Sequence, residues 1–153
     1  MTKDKQSLIS EIREAFKDVE LDGGIGLSEA DALDNYADEH ICEECKKKDE
    51  KYFWNTITAN ELNQFRNGLC FFDAKGMRFH LPAFMIAEIK NQYRDSLIFT
   101  LTNLSDCSKS QFELLSQKQR EVVKLFLEYL LNDPEYEFDR PDIKTAIENY
   151  WSK

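Results

Sequence analysis

Between Ser116 and Asn132 the apolar residues return at intervals of three and four, as Val122, Val123, Phe126, Leu127, Leu130 and Leu131. At about 3.6 residues per turn this spacing lays them along one side of an α-helix, and the two-residue alternation of a strand cannot accommodate it. The stretch carries its own boundaries: Ser116 with Gln119 makes a capping box at its start, and Asp133-Pro134 stops it. A chain built around such a segment must give it other apolar stripes to pack against. The rest of the sequence is therefore best read for helices first.

Those stripes recur. Leu8, Ile9, Ile12, Ala15, Phe16 and Val19 make a first helix of about four turns, ended by Asp22-Gly23-Gly24. A second is predicted after Leu27, with Ser28 as N-cap and Asp31 three residues on. Its stripe runs through Ala30, Leu33, Tyr36, Ala37, His40 and Ile41, and the run 46–51 follows as a solvated turn. Phe53, Trp54 and Ile57 form an apolar cluster before Thr58 and Glu61, another capping box, open a helix with Leu62, Phe65 and Leu69. Phe71 and Phe72 return to the core ahead of a turn at 73–76, and Pro82 fits the first position of a helix carrying Met85, Ile86, Ile89 and Tyr93. Asp139 and Pro141 open the last helix, which bears Ile143, Ala146, Ile147, Tyr150 and Trp151. Residues 97–102 alternate apolar and β-branched side chains and read either as a short strand or as an extended connection, with no partner strand evident. No repeat, low-complexity tract or Gly/Ser linker marks a boundary. The expectation is one compact, mainly α, bundle-like domain over residues 1–153, with six or seven helices.

Three blocks then resemble a known family: Gly26-Leu27-Ser28-Glu29-Ala30 with Asp34 and Tyr36; Trp54 with Phe71-Phe72-Asp73; and the run from Gly76 through Arg78, His80 and Pro82 to Met85. Gln119, the run from Phe126 to Leu130, and Tyr150-Trp151 agree with it. Together they resemble an uncharacterised, mostly bacterial family of unknown function. The resemblance implies one compact domain and brings no activity with it. Where relatives place an aromatic residue this chain has His80, and Cys42 with Cys45 matches no motif of that family.

Composition narrows the function classes. The chain has 153 residues, 42% hydrophobic and 32% charged, which suffices for one core and is too apolar for a disordered chain. A net charge of −9 argues against nucleic acid, whose phosphates call for a surplus of Lys and Arg. No run of about 18 apolar residues provides a membrane span, and no apolar stretch of a secretory signal stands near the start. A cytoplasmic protein with reduced Cys42, Cys45, Cys70 and Cys107 is expected, with no cofactor.

Sites for chemistry are sparse. His40, Cys42 and Cys45 carry part of a zinc pattern, but a second ligand pair is missing, and His40 and Cys42 point opposite ways on a continuous helix. Asp18, Glu20, Asp22, Gly23, Ile25 and Glu29 follow a calcium-loop template, with Glu where Asp or Asn belongs and extra glycines. They read as an acidic turn. His40 on its apolar stripe and His80 between Phe79 and Leu81 read as packing residues, and no nucleophile elbow or phosphate loop occurs.

Charge is the informative feature. Residues 18–45 hold ten carboxylates and no Lys or Arg, so this window carries −10 and the remainder of the chain +1. Asp31, Asp34 and Asp38 fall within about 60° of one another on the predicted second helix, opposite its apolar stripe. Like charges so placed repel one another, whereas a mixed-sign surface would give solubility with less repulsion. The expected function is a non-enzymatic, immunity-like or adaptor module that docks one basic protein, a toxin or effector, through an acidic face from Asp18 to Glu44, with Asp22, Glu29, Asp31, Asp34 and Asp38 as its binding residues. The alternative is a small enzyme or metal-dependent regulator using His40, Cys42 and Cys45.

Overall fold

The computed structural model describes residues 4–153, and its regular structure is helical, with no strand among the described residues. The helices are α1 (Lys5–Ala15), α2 (Leu27–Asp34), α3 (Glu39–Lys48), α4 (Ala59–Gln64), α5 (Ala74–Ile89), α6 (Ile98–Thr102), α7 (Asp106–Gln111), α8 (Gln117–Leu131) and α9 (Arg140–Ala146). Turns of 3₁₀ helix lie at Trp54–Thr56, Arg66–Phe71 and Pro134–Asp139, and α9 runs on as a π turn over Ile147–Trp151. No helix among the described residues is long and apolar enough to cross a membrane.

α5 is the axis of the core. From Gly76 to Ile89 every residue except Arg78 is buried, as expected of a helix that is apolar on all sides. α1 packs on α5 and α8, α6 on α9, and α2 on α3 and the Arg66–Phe71 turn. The largest fully buried side chains are Phe16, Phe79, Phe84, Phe112 and Phe126, in one continuous apolar cluster.

Several expectations are corrected here. Residues 98–102 are helical, with Ile98 and Leu101 facing the core. With α7, and with a break after Asp34, this raises the helix number above six or seven. α5 starts at 74 because the Asp73 carboxylate accepts from Gly76 N and caps it, so 73–76 is a helix entry instead of a free-standing turn. Pro82 consequently lies inside α5 and leaves the Arg78 carbonyl without its helical N–H partner. Burial of the surrounding apolar side chains outweighs that loss.

The predicted second helix is two helices. α2 ends in a Schellman turn: Ala37 N donates to Ala32 O (3.0 Å), Tyr36 N donates to Leu33 O (3.2 Å), and Tyr36 takes the left-handed conformation at φ 56°. Asp38 then starts α3 by accepting from Ile41 N (2.9 Å). His40 and Ile41 are exposed in consequence, so His40 is no core histidine.

The start of α2 is held from a distance. Gly26, and not Ser28, occupies the N-cap and offers no side chain. Asp49, from beyond α3, fills the role: its Oδ1 accepts from Ser28 N and Ser28 Oγ (both 2.8 Å), and its Oδ2 from Glu29 N (3.1 Å). A Cβ on residue 26 would lie 2.4 Å from that carboxylate, so glycine there is what admits it. Asp49→Ala is expected to lower stability by about 1–2 kcal/mol, because α2 loses both its cap and the negative charge at its positive end. Urea unfolding measures this, and an unchanged midpoint would refute the assignment.

Candidate functional site

The structure scatters the calcium-loop residues. Asp22 and Gly23 turn the chain in left-handed conformations (φ 53° and 82°), and the loop is clamped by the start of α5. Ile25 N donates to Asp73 Oδ1 (3.0 Å), while Lys75 Nζ donates to Asp22 O (3.1 Å) and lies 3.6 Å from Asp22 Oδ2. An ammonium group thus serves the charge of Asp22. Glu29 points elsewhere: Asp31 is about 200° around α2 from it, whereas Asp31 and Asp34 differ by about 60°. Glu29 is half-buried with its Oε1 unpaired, and burial raises its carboxyl above the usual range, with Asp49, Glu43 and Asp73 adding to the rise and Lys46 opposing it.

The five carboxylates expected to act together therefore divide. Asp22 belongs to the Lys75 clamp and Glu29 to the inner side of α2. Asp31 and Asp34 share one side of α2, and Asp38 stands two residues past Tyr36 as the cap of α3. Glu44 has a lysine close by, with Lys47 Nζ at 3.4 Å, whereas no cation stands within 4.0 Å of Asp31, Asp34, Asp38 or Glu39 among the described residues. Between Asp34 and Asp38 stands Tyr36, 93% exposed on its left-handed backbone. Sequence patterning placed Tyr36 in an apolar stripe and missed it as a surface feature. Asn35, a residue common at helix ends, was the signal for the break.

The alternative site does not assemble. α3 carries Cys42 and Cys45 on one half-buried side, and His40 is exposed about 200° around the helix from Cys42. Burial raises the Cys42 thiol, and Cys45 adds to the rise. Among the described residues, no group of three or more His, Cys, Asp or Glu side chains is placed to hold a metal ion.

A cleft of about 590 Å³ opens beside α2, between α4, α5 and the segment that joins α3 to α4. Leu27, Ile57 and Phe65 supply apolar wall, and Asp49, Glu50 and Lys51 come to it from the connecting segment. His80 also lines it, 1% exposed and stacked on Phe72 at 4.6 Å with the rings 4° from parallel. Its Nδ1 is 2.7 Å from the Gly76 carbonyl oxygen. Burial pushes the His80 imidazole down to about 4, against the opposing pull of that carbonyl and of Asp49 and Asp73. Spacing gave no sign of the cleft, because its walls come from four separate stretches of chain.

No curated protein and no solved structure matches the chain. A family model described as "Family of unknown function (DUF6714)" matches residues 4–153, nearly the whole sequence. The protein belongs to that family of unknown function.

Proposed function

We propose that this protein is a docking module for a basic protein partner, immunity-like or adaptor-like in action, and that it binds through the α2–α3 corner. The observation that carries the reading is Tyr36: a large aromatic ring, 93% exposed, held on a left-handed backbone between Asp34 and Asp38. Such a conformation costs a non-glycine residue roughly 1 kcal/mol. Strain of this kind, at a residue that packs against nothing, is a mark of a functional position. Tyrosine is a common interface anchor, and an arginine stacked on its ring would find Asp31, Asp34 and Asp38 as acceptors around it. Glu39 adds to the field that steers a cationic partner toward this corner. The surface is thus smaller than the whole acidic window and centres on one side chain.

The test is affinity capture from the native host with the full chain as bait, beside the Asp31→Asn/Asp34→Asn/Asp38→Asn variant. Asparagine keeps the α3 cap while removing charge. The partner is expected to be basic, to be released by salt, and to be recovered about tenfold less or lower with the triple variant. Tyr36→Gly is expected to lose the partner while leaving stability unchanged or slightly raised, since glycine relieves the left-handed strain. Undiminished recovery with both variants would refute the docking surface.

A further inference from the structure

Much of the charge that lines the cleft beside α2 is engaged within the protein: Asp49, Glu50 and Lys51 are committed, while Lys48 and Glu61, on exposed residues, keep free capacity. Both oxygens of Asp49 are taken by the start of α2. Glu50 Oε2 accepts from Tyr52 N and Phe53 N (3.0 and 3.1 Å), and Lys51 Nζ donates to the carbonyls of Lys46 and Asp49 (both 2.9 Å) and of Lys47 (3.4 Å). Ser28 Oγ is shared between Asp49 and the Cys45 carbonyl, and Thr56 Oγ1 donates to Phe53 O. These groups build the walls and have little left for a ligand.

His80 is different. A carbonyl oxygen only accepts, so the 2.7 Å contact with Gly76 O fixes the proton on Nδ1. The ring is 1% exposed and neutral, which leaves Nε2 as a lone-pair acceptor, and no hydrogen bond reaches it from the described residues. An acceptor on a cleft wall that has no partner in the protein is a place where a ligand donor gains a bond. The volume also falls within the range of about 300–1,000 Å³ typical of small-molecule sites.

We infer that this cleft binds a small neutral aromatic molecule of the phenol or indole class, whose O–H or N–H donates to His80 Nε2 while its ring packs against Leu27, Ile57 and Phe65. The class follows from the lining. Apolar walls favour a ring, His80 offers the one deeply buried open acceptor and so calls for one donor, and the charges left uncommitted, on Lys48 and Glu61, belong to exposed residues that water screens, which disfavours a charged ligand. An imidazole acceptor also takes a better bond from an acidic aromatic O–H or N–H than from an aliphatic alcohol. The site is separate from the Tyr36 corner, and its occupancy does not depend on a protein partner.

The experiment titrates the full-length protein with indole and with N-methylindole, following ¹H–¹⁵N spectra and calorimetry, and follows the His80 ring nitrogens by long-range ¹H–¹⁵N correlation. Indole is expected to shift resonances around Leu27, Ile57, Phe65 and His80 and to move the Nε2 signal. N-methylindole, which has the ring without the donor, is expected to bind about tenfold more weakly, the worth of one hydrogen bond to a buried acceptor. His80→Phe preserves the ring stacked on Phe72 and is expected to abolish the difference between the two probes. Equal affinity of the probes for the wild-type protein would overturn the inference, as would the absence of cleft shifts up to the solubility limit of indole. The probe comparison stands on the wild-type protein alone, whether or not the variant folds.

Discussion

Gly76→Ala is expected to destabilise the protein by about 2–3 kcal/mol, the opposite of the usual outcome for this exchange within a helix. Alanine ordinarily gains about 1 kcal/mol over glycine at a helical position, because glycine gives up more backbone freedom on folding. Here a Cβ would lie 2.3 Å from the Ile25 carbonyl oxygen, with Asp73 Oδ1 at 3.0 Å and Phe72 Cδ1 at 3.1 Å. The first of these is backbone and cannot rotate away. Moving Ile25 would strain the bond from its N–H to Asp73 and the hold of Lys75 on Asp22, so the whole junction between the 21–26 turn and α5 would be disturbed. Chemical denaturation of the purified variant decides it. A higher unfolding midpoint would mean that the turn does not press against the helix as described.

Acid is expected to remove about 3 kcal/mol of stability through His80 alone. In the unfolded chain the imidazole titrates near its ordinary 6.5, whereas burial holds it at about 4 in the folded protein. Above the unfolded value neither state binds the proton and the full stability is present. As pH falls below 6.5 the unfolded chain takes up a proton that the folded one refuses, so stability drops until about pH 4, where both are protonated. At 1.36 kcal/mol for each unit between the two values, the loss approaches 3 kcal/mol at pH 4. Other groups titrate in this window, so the informative quantity is the difference between wild type and His80→Phe, which shares that background. The gap between their unfolding free energies is expected to change by about 3 kcal/mol from pH 7.5 to pH 4, with the variant the less acid-sensitive. Parallel curves would show that His80 titrates in the folded protein as it does in the unfolded chain.

What was legible in the sequence was local. The capping boxes of Thr58 with Glu61 and Ser116 with Gln119 each close within one helical turn, and both form. The stripe of α8 and the Pro141 entry to α9 need no other part of the chain to be recognised, and both stand as expected. The failures share a cause. Asp49 caps a helix that starts 22 residues before it, and Pro82 is carried by a core that forms only when the rest packs around it. The acidic window was visible as charge along the chain, but its division among Lys75, the inner side of α2 and the Tyr36 corner depends on where α2 stops. That stop rests on a tyrosine in a conformation usually left to glycine or asparagine. The cleft left no sequence trace at all, since neither the separation of its walls nor the spare nitrogen of His80 is written in any spacing.

Several helix ends are finished by side chains from remote segments. Trp54 donates to the Phe16 carbonyl, Gln119 to Ala15, Gln111 to Leu69 and Phe72, and Trp151 to Leu101. Many of the helices are too short to persist in water alone, and α1, α6 and the Arg66–Phe71 turn rely at their C-terminal ends on donors that arrive only when a distant part of the chain is in place. Fraying of one end therefore strands a carbonyl somewhere else. Order at these ends is held in common, which favours a single cooperative loss of the assembled helices over their loss one at a time.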